Sequence, residues 1–318
     1  MTREEIITKV SKNDTTVLSF EDRGPWGSSK YRGNCSGWIQ AFLIWKYQVQ
    51  KMAELFAGSG TGSDVCKDMR IDYIGADLNP NPVRSNILTV NAITDDVPEE
   101  FLGSDMVFMH PPYGAEIRIP YAGSTWKDET GTLSAQDLGQ MQWDEFMKAL
   151  NQVVMKYYAS MDTGARMSIL MGDVRRNGLH SMLADIVKPG NLEQIIIKMQ
   201  HNTTSGRNTS SYGGHKGFVP LVHEYIMVLK KPGAYIIEFQ LPTMYNTDIR
   251  DSKSATWRDV VYAVMEKVGE ADLSTIYKEI DGHKKAQRNR HWKDKVRQTL
   301  QLHDVFQSRG NGVWAFAA

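Results

Sequence analysis

A histidine, two prolines and a tyrosine in succession, His110-Pro111-Pro112-Tyr113, end the apolar run Met106-Val107-Phe108-Met109. Together they suit a planar heterocycle that carries an exocyclic amino group. The prolines hold φ near about −65° and lack backbone donors, so their carbonyls are free to point into a pocket. Tyr113 adds a flat face for stacking, and His110 a side chain that hydrogen-bonds. The apolar run reads as a short buried strand of a parallel sheet that delivers these groups to a surface.

Upstream, Glu54-Leu55-Phe56-Ala57-Gly58-Ser59-Gly60-Thr61-Gly62 predicts a strand over 51–56, a turn over 57–61 and a helix over 63–69. Glycine at such a turn lets a cofactor approach the backbone, because no Cβ intervenes and positive φ costs little. A second strand over 72–76 ends in Asp77, about 20 residues beyond the turn. Nucleotide-binding α/β folds hold a ribose diol with an acid at that point. A dinucleotide enzyme would need a third spaced glycine, and position 63 is Ser63. Residues 38–47 carry apolar side chains at helical spacing and predict a helix ahead of the first strand.

The two motifs together resemble the S-adenosylmethionine-dependent amino methyltransferases of DNA, which carry a Phe-x-Gly-x-Gly loop and an (Asp/Asn/Ser)-Pro-Pro-(Tyr/Phe/Trp) tetrapeptide. The resemblance spans roughly residues 30–230. It implies an α/β, Rossmann-like methyltransferase fold with a mostly parallel seven-stranded sheet, and S-adenosyl-L-methionine as cofactor. It implies cofactor contacts from Glu54, Phe56, Ala57, Gly58, Gly60, Thr61, Asp77 and Leu78, from Asn91 at the adenine ring and from Asn34 at the methionine end. Catalysis falls to His110, Pro111, Pro112 and Tyr113. His110 stands where the family has Asp, Asn or Ser, so adenine N6 and cytosine N4 both stay open as targets, with adenine favoured. Gly172-Asp173-Val174-Arg175 and the closing strand His223 to Lys230 are similar to further segments of the family.

Around these motifs, residues 1–30 read as an irregular N-terminal arm with one helix near 4–10, and residues 31–235 as the catalytic domain. The stretch 115–142 is long for a loop and is expected to be a flap that orders on the substrate. A helix over 143–161, a strand over 166–173, a short helix over 179–187 and strands over 192–199 and 224–230 follow. The hydroxyl- and glycine-rich segment 200–218 offers Arg207 and Lys216 to phosphates. Residues 236–253 read as a linker.

Residues 254–318 predict three helices and a hairpin around Arg309-Gly310-Asn311-Gly312, which resembles a small winged helix-turn-helix domain. Lys284, Lys285, Arg288, Arg290, Lys293, Lys295 and Arg297 face a single acid, Asp294, just before and along the third helix, the one such modules lay in the major groove. Double-stranded DNA is therefore the expected partner.

The 318 residues hold 37 Lys+Arg against 37 Asp+Glu, so nucleic-acid contact must come from such local clusters and not from a global field. Apolar runs are too short to span a bilayer and the N-terminus lacks a signal segment. Cys35 and Cys66 form neither a disulfide framework nor a metal site, which leads to the expectation of a reducing cytoplasm. The oligomeric state, a homodimer among the options, is not fixed by the sequence.

Methyl transfer to an amino nitrogen is an in-line displacement that needs alignment more than a nucleophile. The base must leave the duplex stack to be reached. Acceptors on its two amino hydrogens, a Pro111 carbonyl and a neutral His110, would free the nitrogen lone pair. Activity is then expected to fall as pH drops through the histidine pKa, about 6.5 if unperturbed. Methylation at cytosine C5 would need a cysteine nucleophile after a proline, and neither cysteine sits in that setting. Methylation of RNA or of a protein amide, and a non-catalytic DNA-binding regulator, are the competing readings.

Overall fold

The computed structural model describes residues 1–31, 33–117, 126, 133, 136–176, 178–201, 219–233, 238–242 and 255–317. The chain divides into two compact units, Met1–Pro242 and Thr243–Ala318. No helix among the described residues is long and apolar enough to cross a membrane.

The first unit carries helices α1 (Arg3–Ser11), α2 (Gly37–Tyr47), α3 (Thr61–Met69) and α4 (Trp143–Ser160). Its strands are β1 (Val17–Leu18), β2 (Lys51–Leu55), β3 (Asp72–Asp77), β4 (Ile87–Thr89), β5 (Met106–Met109), β6 (Arg166–Met171), β7 (Asp173–Arg175), β8 (Leu179–Ser181), β9 (Lys188–Pro189), β10 (Asn191–Met199) and β11 (His223–Lys230). Eight of them form one sheet in the order β1-β10-β11-β6-β5-β2-β3-β4. Neighbours are parallel except at β11, which runs against both β10 and β6. This is a mostly parallel, Rossmann-like sheet, as the sequence predicts, with eight strands where seven were expected.

The extra strand comes from the N-terminal segment, in which the helix expected near 4–10 forms as α1 and the short strand β1 follows it. Thr2 and Glu5 form a reciprocal capping box at the start of α1, with bonds of 2.8 and 3.2 Å. Ile6 and Val10, one helical turn apart, are buried in the core. Val17 and Leu18 then pair in parallel with Ile197 and Lys198. Because α1 covers it, α2 is buried along its length from Gly37 to Ile44 and is apolar there except for Gln40, as suits a helix between two layers.

The central strands are buried on both faces, and successive side chains go to opposite cores. Val107 and Met109 of β5 pack with Phe146, Leu150 and Val153 of α4, while Met106 and Phe108 pack with Trp38, Phe42 and Val65 of α2 and α3.

Two other expectations are corrected. Residues 179–187 do not form one helix: β8 pairs back onto β7, with Val174 opposite His180, and only Met182–Asp185 is helical. Ser181 caps that turn from outside, and a three-residue hairpin fixed by its partner strand overrides the local helical pattern. Within the stretch read as a linker, Phe239 and Gln240 pair with Pro189 and Lys188 of β9.

The second unit holds helices Trp257–Val268, Leu273–Ile280, Lys284–Gln287 and Trp292–Leu302, with strands Ala271–Asp272, Phe306–Gly310 and Val313–Phe316 in one small sheet. Thr256 and Asp272 cap the first two helices. Val260, Val261, Met265, Ile276, Ile280, Val296 and Leu300 make its core. The turn helix Lys284–Gln287 and the strand Ala271–Asp272 add to the three helices and hairpin that were expected.

Leu150 is 0% exposed against the sheet and Leu179 is 56% exposed on the β7–β8 hairpin. Leu150→Ala should destabilise the first unit by about 2–5 kcal/mol. Leu179→Ala should stay within about 0.5 kcal/mol. Denaturant unfolding of the two variants checks both values.

Candidate active site

Strand order reverses at β2, which has β3 on one side and β5 on the other. In open α/β sheets a crevice forms outside the carboxyl ends of the strands at such a point. Here Leu55 at the end of β2 lies between Ala76 and Met109. The glycine-rich turn and the His110 tetrapeptide therefore emerge side by side. They border a cleft of about 840 Å³, its open mouth included.

The turn is held in place mainly by backbone donors. Phe56 has φ +60°, unusual for a residue with a Cβ, and Gly58 and Gly60 follow at +47° and +76°. A Cβ on Gly58 would stand 3.1 Å from the Tyr31 ring. Asp77, at the end of β3, accepts from the Gly58 amide at 2.8 Å and from the Asn79 amide at 2.9 Å. Burial raises its pKa in spite of those two bonds. Asn34 reaches the same turn and accepts from the hydroxyls of Ser59, at 2.8 Å, and Thr61.

Of the other residues expected at a cofactor, Glu54, Phe56, Ala57, Thr61, Leu78 and Asn91 all line this cleft, and Gly60 does not. Glu54 is also a buried structural acid, taking 2.5 Å bonds from the Tyr73 hydroxyl and the Gln40 amide. Burial, with Asp77 nearby, pushes its pKa up to about 8. Asn91 caps its own turn through the Ile93 amide and donates to Gln136 at 2.8 Å.

The tetrapeptide divides between two clefts. His110 and Pro112 line the first, and Tyr113 lines a second, polar cleft of about 1450 Å³ bounded by Arg23, Asp173, Arg175, Lys198 and Glu224 among others. Pro111 is buried and lines neither, so the proline that borders the first cleft is Pro112. Burial pushes the His110 imidazole down to about 4, with Lys198 and Arg23 acting the same way against Glu224. The ring is therefore neutral well below the ordinary histidine value, burial being the perturbation that moves it from about 6.5.

Tyr113 is tied by its hydroxyl, which donates to Glu224 Oε1 at 2.8 Å and lies 3.4 Å from His110 Nε2. Lys198 pairs with the other oxygen of Glu224. Burial works against that carboxylate, yet the Lys198 ammonium first, then His110 and the Tyr113 hydroxyl, hold it below the usual carboxylate range.

Sequence reasoning passed over several residues at the two clefts. Gln136, Asp137 and Leu138, from the stretch read as a flap, line the first, and Asp137 is held by the Gly139 amide at 2.8 Å. Tyr31 and Trp126 line it too, 3.4 Å apart between indole nitrogen and hydroxyl. Glu224 and Lys198 were visible only as an acid and a base in two apolar strands, and it is the β10–β11 register that sets them opposite one another.

In the second unit Lys284, Arg288, Arg290, Lys293, Lys295 and Arg297 are exposed, and Lys285 is half-buried beside Trp257. Arg297 pairs with Asp294, and Lys293 lies 5.5 Å from the Tyr277 ring. Arg207 and Lys216 fall outside the described residues.

No family model and no curated protein matches this chain. Solved structures do. TrmN from Thermus thermophilus matches over 63% of this chain and 50% of its own, at 14% identity and a TM-score of 0.37. A protein of the same organism described as a DNA modification methylase matches over 41% of this chain and 46% of its own, at 18% identity and a TM-score of 0.23. The N-methyltransferase NodS from Bradyrhizobium japonicum, in complex with S-adenosyl-L-homocysteine, matches over 71% of this chain and 98% of its own, at 10% identity and a TM-score of 0.39. The chain thus spans half the length of TrmN and just under half that of the modification methylase.

Proposed function

We propose that this chain is an S-adenosylmethionine-dependent methyltransferase acting on the exocyclic amino group of a base flipped out of duplex DNA, adenine N6 first and cytosine N4 next. One observation carries the reading: His110 and Pro112 border the cleft of the glycine-rich turn, while Tyr113 borders the polar cleft beside it. A methyl donor on one side and an amino acceptor on the other would meet at the tetrapeptide.

The first cleft fits the cofactor. Its turn has no Cβ at Gly58, its buried acid Asp77 stands at the strand end where a ribose diol is held, and Val90, Ala92 and Ile93 give an apolar wall for a ring. When bound, S-adenosylmethionine supplies an electrophilic methyl carbon with a neutral thioether as leaving group. The chain's own part is alignment and charge control. Neutral His110 accepts one amino hydrogen and a proline carbonyl the other, which draws the nitrogen away from conjugation with its ring. Tyr113 offers the target base an aromatic surface beside them.

The order helix, strand, helix, turn helix, helix, hairpin in the second unit supports the winged-helix reading, and its exposed basic residues suit a phosphate backbone. Arginines around the polar cleft suit the strand that carries the flipped base.

Duplex DNA incubated with the protein and methyl-labelled S-adenosylmethionine should yield labelled N6-methyladenine or N4-methylcytosine on nucleoside mass spectrometry. His110→Ala should lower the rate by roughly 10²-fold. Label in RNA or protein alone would sink the substrate assignment, and cofactor binding without any transfer would favour the regulator. Calorimetry gives the cofactor arm: Asp77→Ala should weaken S-adenosylmethionine binding at least about tenfold.

The pH profile follows from the lowered His110 value of about 4. Its neutral, accepting form persists as pH falls past the ordinary value and is lost only as pH drops through the lowered one. Between about pH 7 and pH 5 kcat should stay level. A fall centred near about 6.5 would mean that His110 titrates as an exposed histidine. Arg288→Ala and Arg290→Ala should each weaken duplex binding regardless of sequence and reduce the salt slope by about 1.

A further inference from the structure

We infer that Glu224 is a positioning residue which, acting through the Tyr113 hydroxyl, fixes the tautomer of His110 and makes Nδ1 the accepting nitrogen of the ring. The catalytic consequence rests on the amino-methyltransferase reading, and the tautomer itself does not.

A tyrosine hydroxyl has a single proton to give. Among the described residues, Glu224 Oε1 at 2.8 Å and His110 Nε2 at 3.4 Å compete for that of Tyr113. Glu224 is ionised, because Lys198 pairs with its other oxygen, and a carboxylate in that state only accepts. A charge-assisted bond at the shorter distance outcompetes a neutral one at the longer. The proton therefore points to Glu224, and Tyr113 turns a lone pair toward His110 Nε2.

His110 must answer with a donor. A neutral imidazole carries one N–H and one lone pair, so the form that matches Tyr113 holds its proton on Nε2. The lone pair is left on Nδ1, ready for an amino hydrogen of the substrate. The charged groups acting on His110 are Glu224, Lys198 and Arg23. Lys198 and Glu224 are register partners on adjacent antiparallel strands, and Gly172 lies 3.3 Å from the Tyr113 ring at the position a Cβ would take, so the relay has little freedom to rearrange.

The relay should reverse in Glu224→Gln. Lys198 can only donate, so it would draw the amide oxygen and leave the amide NH₂ facing Tyr113. The tyrosine would then accept from the amide and donate to His110 Nε2, and the imidazole proton would move to Nδ1. Tyr113→Phe removes the hydroxyl alone and should leave a mixture of tautomers.

The experiment is a long-range ¹H–¹⁵N correlation spectrum of the full chain labelled at histidine, at neutral pH and without cofactor or DNA, with His110→Gln identifying the signal. The expected result is the Nε2–H form in the wild type, the Nδ1–H form in Glu224→Gln and a mixture in Tyr113→Phe. An Nδ1–H form or a mixture in the wild type overturns the inference, as does an Nε2–H form kept in both variants. In methyl transfer, Glu224→Gln should lose at least about tenfold in kcat with the cofactor KM changed by less than about twofold. Failure of the methyltransferase reading would show as absent transfer in the wild type and would leave the tautomer result standing.

Discussion

The site depends on hydrogen-bonded pairing along one strand. β2 is flanked in parallel by β3 and β5, and its last residue, Leu55, is level with both Ala76 and Met109. That register makes the glycine-rich turn, Asp77 and His110 leave the sheet at one height. Since side chains alternate along a strand, slipping β5 by one residue would exchange Met109 and Phe108 between the two cores. Both faces are packed with large residues, so the register is strongly specified and the cleft inherits that precision.

Charge is arranged differently on the two sides of the tetrapeptide. Glu54, Asp77 and Asp137 at the first cleft are all raised by burial, and hydrogen bonds to amides, hydroxyls or side-chain donors only partly offset it. Glu224, on the polar side, is held ionised by a lysine. His110 stands between these settings and is neutral. A group that must accept a hydrogen bond at ordinary pH is better served by an environment that resists its protonation than by its intrinsic pKa.

Much of this was legible where the information is local. The Phe-Ala-Gly-Ser-Gly turn, the acid ending the second strand and the double proline announce their backbone geometry within a few residues. The capping signal at Asp272 marks a helix start in the second unit that the structure reproduces. What escaped was set by distant partners. Leu179 to Ser181 reads as the start of a helix until β7 is present to pair with it. Lys198 and Glu224 become a pair only through the β10–β11 register, and the value of the His110 pKa is a property of its burial. Asp137 lay in the stretch expected to form a flap over the substrate, where nothing local marked it out from its neighbours.

The two-residue strand β1 has a consequence for the chain's behaviour in a crowded solution. A sheet that ended on the outer edge of a nine-residue strand, β10, would present a long row of unpaired backbone groups, a template on which another chain could dock. Instead the sheet ends on a two-residue strand at one side and on three-residue β4 at the other. Short edges of this kind are poor templates for edge-to-edge association. β1 pairs only with Ile197 and Lys198, so the N-terminal segment shortens the open edge of β10 without covering all of it.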